Sequence, residues 1–170
     1  EWTPVGAPLT FTDEITLTLG SKVVRVRYLG AGHTGGDAYV FFPAEKVLAA
    51  GDDLNYPFCG VVCVDYHAGG SLDGYIKVLG GLLRLPGSPK IASLDDFDTV
   101  VPGHGELSDR AALEEHRGKL LKLWNQVRSL KRAGKTYHQT ADFLIKEYGW
   151  KPDDRNLGSL TFPGLWKEIG

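Results

Sequence analysis

Alternation of apolar and polar residues dominates the first part of the chain and predicts pairs of β-strands. Between residues 14 and 29 the alternation has the period of two that one buried strand face requires, on either side of a Gly20-Ser21 turn. Residues 38–42 and 47–50 form a second predicted pair around a turn that starts at Pro43. Residues 98–101 form a further short strand, which Pro102 and Gly103 end.

Apolar residues spaced three and four apart predict helices in the remainder of the chain. One helix covers residues 71–85 from a Ser71 cap, and a longer one covers about 109–133 and stops at Gly134. Thr136 and Gln139 have the capping-box spacing and open a third helix, which ends near Gly149. The tail is expected to be loop with at most one last helical turn. The order of elements predicts an α/β architecture, a sheet covered by helices on one face.

Composition and charge restrict this picture to an ordinary globular domain. The chain has 170 residues, of which 42% are hydrophobic and 24% charged, enough for one domain with a core. The net charge is −2 with both signs interspersed, so we expect neither a nucleic-acid partner nor an anionic-membrane partner. No apolar run approaches the roughly 18 residues of a spanning helix, and a soluble chain of undetermined compartment is expected. Cys59 and Cys63 provide no disulfide framework and are interpreted as small buried side chains.

Three polar residues follow predicted strands at glycine-rich turns and are candidate metal ligands. His33 lies between glycines after the strand that ends near residue 29, Asp52 follows Gly51, and His104 follows Gly103. Strand ends followed by tight turns can hold imidazoles and carboxylates rigidly, and these are the nitrogen and oxygen ligands that zinc accepts. If the three strands are neighbours, the three residues cluster at one sheet edge.

Taken together, the segments 32–37 (GHTGGD), 48–54 (LAAGDDL) and 101–105 (VPGHG) resemble the later motifs of the metallo-β-lactamase superfamily. The resemblance covers most of residues 13–130. It implies half of an αββα sandwich with a site for one or two zinc ions at one edge of the sheets. By the same resemblance, His33 matches a histidine ligand of the first metal, Asp52 a carboxylate that bridges two metals, and His104 a histidine of the second.

Other polar residues are candidates for positions behind the ligands or on the substrate side. Asp53 is interpreted as supporting the site from behind or capping a helix, and His67 lies in a loop that could border the site. No residue is assigned a catalytic role. His116 and His138 fall on predicted helices and are expected at the surface. The supporting or substrate-side candidates are Thr34, Asp37, Asp53 and His67.

The superfamily's defining His-x-His-x-Asp-His motif is absent from this sequence. No histidine occurs among the 32 residues before His33, and the chain starts at Glu1 and contains no methionine. We therefore expect residues 1–170 to be a single partial domain, the C-terminal half of the fold, with 136–170 as a C-terminal helical extension. Zinc binding by this chain alone is expected to be weak or absent, because the missing motif supplies ligands to both metals.

Two functions remain open from the sequence. In the first, the chain is part of a zinc-dependent hydrolase, inactive alone, whose metal-activated water attacks an ester, thioester, lactam or phosphoester of a small-molecule substrate. In the second, it is a non-catalytic half-domain or interaction module with a vestigial metal site. Half a sandwich leaves apolar sheet surface uncovered, so a partner is expected, either the missing N-terminal half or a second copy of the chain. The stretches 39–42 and 61–64 are the candidates for that surface.

Overall fold

The computed structural model describes residue 6 and residues 9–54, 62–152 and 155–170. Its six strands form one sheet in the order of the sequence. All neighbouring strands are antiparallel except β4 and β5, which are parallel. The predicted hairpins are confirmed, whereas the two-residue β6 was not predicted. The strands are β1 (Glu14–Leu19), β2 (Lys22–Tyr28), β3 (Ala38–Phe42), β4 (Val47–Gly51), β5 (Thr99–Pro102) and β6 (Ser108–Asp109).

The predicted helix starts are confirmed by their caps. The Ser71 hydroxyl accepts a hydrogen bond from the Gly74 amide, and Thr136 and Gln139 form both bonds of a capping box. The expectation of a mostly irregular tail was wrong, because two short helices follow residue 152. The helices are α1 (Leu72–Leu82), α2 (Arg110–Arg132), α3 (Tyr137–Tyr148), α4 (Arg155–Gly158) and α5 (Phe162–Glu168).

The parallel pair β4 and β5 is joined by a crossover that contains α1. The crossover places α1 on one face of the sheet, where it packs beside α2. Side chains that alternate along the strands are fully buried beneath these helices: Tyr39, Phe41, Leu48 and Val100. The predicted α/β architecture, a sheet covered by helices on one face, is confirmed.

The opposite face of the sheet carries a row of apolar side chains across five strands. The register pairs Ile15 with Val26, Val26 with Val40, Val40 with Ala49, and Ala49 with Val101. All five remain partly exposed, since none reaches the burial of the helix-covered face. We call the surface formed by these five residues the open face.

The sequence located this surface only in part. Val40 and Phe42 lie on the same side of the sheet as the open face, but the alternation of β3 turns Tyr39 and Phe41 to the helices. The expectation for residues 61–64 was wrong where it can be examined, because Val62 and Val64 are buried. Val61 and Cys59 lie outside the described residues, and Cys63 is half-buried.

The C-terminal helices share the core of the strands and of α1 and α2. Phe162 and Leu165 are fully buried within that core. The Thr161 hydroxyl accepts a hydrogen bond from the Val64 amide at 3.1 Å, which fixes α5 to the segment before α1. No helix in the described part of the chain is both long enough and apolar enough to cross a membrane.

Candidate functional site

Asp52 lies between the two candidate histidines. Its Oδ2 is 3.9 Å from Nδ1 of His33, and its Oδ1 is 3.7 Å from Nε2 of His104. The topology explains the convergence: β2, β4 and β5 run in one direction, so the residues that follow them meet at one edge of the sheet. Both separations exceed a hydrogen bond. The two carboxylate oxygens of Asp52 therefore face different imidazoles.

The turn that carries Asp52 is packed tightly against the end of β5. The Gly103 amide donates to the Gly51 carbonyl at 2.6 Å and to the Leu54 carbonyl at 3.2 Å. A Cβ on Gly103 would overlap Oδ1 of Asp52 and lie 2.8 Å from the Asp52 amide nitrogen. Glycine is therefore required beside His104, because the Asp52 carboxylate occupies the space that any larger residue would need.

Asp53 supports His33 from the interior of the protein. It is fully buried, and its carboxylate accepts from the His33 amide at 2.6 Å and from the Tyr39 hydroxyl. A Cβ on Gly32 would lie 2.6 Å from Oδ2 of Asp53, so the glycine before His33 is also required by close approach. Burial, reinforced by the nearby Asp37 carboxylate, raises the pKa of Asp53 to about 7.

Thr34 and Asp37 fold the loop that carries His33. Asp37 accepts from the Thr34 amide at 2.7 Å and from the Thr34 hydroxyl at 2.6 Å, so both residues act within the loop. The loop also pairs with the segment before α1. The Asp65 amide donates to the His33 carbonyl at 2.7 Å, and the Gly35 amide donates to the Ala68 carbonyl at 2.9 Å. The backbone of His33 is therefore fixed from two sides.

The structure joins His67 to the C-terminal helices rather than to the Asp52 cluster. Its Nε2 lies 3.0 Å from the Ser159 carbonyl oxygen, and its ring is exposed. Asp65 accepts hydrogen bonds from the His67 and Ala68 amides, which orders this loop. His67 also lines a cavity of 480 Å³ that α5 closes on its other side.

Sequence reasoning missed three buried residues behind the cluster. Tyr39 bonds Asp53, and the Tyr75 hydroxyl lies 3.3 Å from the Asp52 carbonyl oxygen and 3.0 Å from Nε2 of His116. The prediction of a surface position for His116 was wrong because its ring faces Tyr75 across the helix pair, whereas His138 is exposed. Tyrosines at apolar positions of strands and helices carry no sequence signal that distinguishes them from ordinary core residues.

The described residues around Asp52 offer too few donors for the zinc site that the resemblance implies. Each oxygen of Asp52 faces one imidazole nitrogen, so an ion at either position would have two protein donors among the described residues. A structural or catalytic zinc takes three or four. Among residues 9–54, 62–152 and 155–170, no group of three or more His, Cys, Asp or Glu side chains can hold one ion together. These residues do not complete a zinc site.

Comparison with known proteins identifies the fold. No family profile matches the sequence, and no curated protein sequence is significantly similar to it. The structure is similar to a metallo-β-lactamase from Pontibacter korlensis, with a TM-score of 0.52 and 23% identity over 67% of this chain and 48% of that one. It is also similar to a stereoselective inverting sec-alkylsulfatase from a Pseudomonas species, with a TM-score of 0.60 and 14% identity over 94% of this chain and 25% of that one.

These similarities define the fold class. The chain has a metallo-β-lactamase-like fold and spans about half the length of the metallo-β-lactamase that it matches. The predicted resemblance to the superfamily is therefore confirmed at the level of the fold. The similarity to the alkylsulfatase extends over nearly the whole chain, so it also includes C-terminal helices that follow α2.

Proposed function

We propose that this chain supplies half of the metal site of a metal-dependent hydrolase of the metallo-β-lactamase type. Zinc is the proposed metal, and the proposed substrate is a small ester, thioester, lactam or phosphoester. The observation that carries the proposal is Asp52, whose two oxygens face two different imidazoles at the edge of a sheet. A carboxylate between two imidazoles suits a bridge between two metals, and each metal then needs further ligands from elsewhere.

The open face supports a proposal for the source of those further ligands. Its five apolar residues span five strands, three of which (β2, β4 and β5) are the strands that His33, Asp52 and His104 follow. A second sheet packed on this face would bury it and would bring its own strand ends to the same edge. We therefore propose that the covering polypeptide carries the His-x-His-x-Asp-His motif, either in a preceding part of the same protein or in a separate chain.

A second candidate function has its own support. One Asp52 oxygen and one imidazole nitrogen are too few protein ligands to hold a zinc ion tightly. On this alternative the chain would serve as a non-catalytic half-domain or interaction module with a vestigial site. In that case the open face would bind a partner, including a second copy of this chain, without any metal. The two candidates differ in whether covering the open face creates metal binding.

Native mass spectrometry with and without zinc separates them. The chain is measured alone and after co-expression with a polypeptide that contains the missing motif. The hydrolase proposal expects two metals in the complex, and it expects His33→Ala, Asp52→Ala and His104→Ala each to reduce that number. His138→Ala is the matched control, because this histidine is exposed on α3, outside the site. A stable complex that binds no zinc supports the interaction module, and full zinc occupancy in all three variants means that the site is wrong.

The role of the open face is tested by Val40→Asp. Val40 lies at the centre of the five-residue row, so a charge there should prevent any sheet from packing on it. Thr18→Asp, at an exposed position on β1, is the control. Sedimentation velocity should show that Val40→Asp abolishes both self-association and complex formation, while Thr18→Asp preserves them. Unchanged association of Val40→Asp would place the interface elsewhere.

A further inference from the structure

Behind Asp52, two buried side chains form a chain of polar contacts that reaches α2. His116 lies on α2 and Tyr75 on α1, and both are almost completely excluded from solvent. The Tyr75 hydroxyl is 3.0 Å from Nε2 of His116 and 3.3 Å from the Asp52 carbonyl oxygen. Nδ1 of His116 is buried and has no hydrogen-bond partner in the described structure.

The number of available protons decides which group donates in each of these two hydrogen bonds. A carbonyl oxygen only accepts, and a tyrosine hydroxyl has one proton to donate. If Tyr75 donates to the Asp52 carbonyl, its oxygen is left to accept a hydrogen bond from Nε2–H of His116. The only unused group is then the lone pair on Nδ1. In the opposite arrangement Tyr75 donates to Nε2, which leaves a buried N–H on Nδ1 without an acceptor and deprives the Asp52 carbonyl of its bond to Tyr75.

The first arrangement is favoured because an unpaired buried donor costs the full desolvation of that group. Burial also lowers the pKa of His116 to about 4, so the ring is neutral at physiological pH and has only one N–H to place. We propose that His116 is a positioning residue for Asp52: its Nε2–H donates to Tyr75, whose hydroxyl donates to the Asp52 carbonyl. We call these two successive hydrogen bonds, from His116 to Tyr75 and from Tyr75 to the Asp52 carbonyl, the relay. Its functional meaning rests on the proposed metal site.

The relay acts on a turn that backbone hydrogen bonds also hold. The turn is closed by the Asp53 amide on the Ala50 carbonyl at 3.3 Å and by the Leu54 amide on the Gly51 carbonyl at 3.1 Å. Gly103 holds the same turn from the β5 side. Tyr75 therefore fixes the peptide of the residue whose carboxylate faces both imidazoles.

The test compares four variants by hydrogen exchange on the full chain. Tyr75→Phe and His116→Leu remove one link each, and the Asp53 and Leu54 amides should then exchange roughly 3- to 10-fold faster, as expected for the loss of one hydrogen bond. His116→Gln keeps an N–H donor near the position of Nε2 and should restore protection. Tyr148→Phe is the control, because its hydroxyl bonds Gln126 between α2 and α3. It should leave both amides unchanged.

A second measurement needs no variant to fold. Nitrogen-15 spectra of the histidine side chains in the wild-type protein should show His116 protonated on Nε2. A proton on Nδ1, or a His116→Gln protein that exchanges as fast as His116→Leu, would overturn the proposal. Neither readout involves zinc. A complex that fails to bind metal while the relay is observed would therefore refute the proposed function and leave the positioning of Asp52 intact.

Discussion

Replacing Asp53 by asparagine should remove a large part of the pH dependence of this protein's stability. The Asp53 side chain is completely buried beside Asp37, and its pKa is raised to about 7 from 3.8. In the unfolded chain the carboxyl group ionises near its ordinary value. Between these two values the folded state holds a proton that the unfolded state has released, so stability falls as the pH rises towards 7.

The size of the effect follows from the raised pKa. Each pH unit over which the two states differ by one proton changes the free energy of unfolding by about 1.4 kcal/mol. From pH 5 to pH 8, the wild type should therefore lose about 3 kcal/mol through Asp53 alone. Asparagine has no proton to release over this range and its Oδ1 can still accept from the His33 amide, so the stability of Asp53→Asn should not fall between pH 5 and pH 8 through this residue.

Urea unfolding at pH 5, 6, 7 and 8, followed by tryptophan fluorescence, measures this difference. The wild-type free energy of unfolding should fall relative to that of Asp53→Asn by about 1.4 kcal/mol per pH unit from pH 5 to pH 7, and the two curves should run parallel above pH 7. Asp73→Asn is the control, because that carboxylate is 42% exposed and paired with Lys77 at the surface. Equal pH slopes for the wild type and Asp53→Asn would refute the reasoning, since the buried carboxyl would then have no raised pKa.

The remaining predictions concern packing around the site and the C-terminal helices. Gly103→Ala should lower the free energy of unfolding by about 1–3 kcal/mol, because the new methyl group overlaps Asp52, and should also shift the His104 ring resonances in NMR spectra. Gly118→Ala, at an open position in α2, should instead raise the free energy of unfolding by about 1 kcal/mol. Thr161→Val should cost about 1–3 kcal/mol, since it leaves the buried Val64 amide without this acceptor; thermal unfolding and exchange at residue 64 check it.

Most of the fold could be predicted because its signals are local. Alternation in β1 to β4 and the caps at Ser71 and Thr136 each occupy a few consecutive residues. The α4 and α5 helices were missed because segments of four and seven residues are stabilised by burial of residues such as Phe162 rather than by their own propensity. The surface prediction for residues 62 and 64 failed because their burial depends on packing with distant parts of the chain; the Val64 amide, for example, donates to the Thr161 hydroxyl.

The candidate metal ligands could be predicted from the sequence, but the buried residues behind them could not. His33, Asp52 and His104 follow strands at glycine turns, and the sequence predicted a cluster on the condition that the three strands are neighbours. β4 and β5 are neighbours, whereas β3 lies between β2 and β4. The residues behind them come from distant elements. His116 meets Tyr75 across 41 positions of sequence, and nothing in either local sequence marks the pair. Histidine on an amphipathic helix indicates a surface position unless the opposing helix is known.

The crossover between β4 and β5 also bears on how this site can change during evolution. Asp52 precedes the crossover and His104 follows it, so the loop between α1 and β5 can lengthen while both ends stay fixed by the parallel strand pair. Doubling a flexible connection adds only about 0.6 kcal/mol of closure entropy. Insertions in the loop after α1 are therefore inexpensive. An insertion there would lengthen the connection into the start of β5 and leave the geometry between Asp52 and His104 undisturbed.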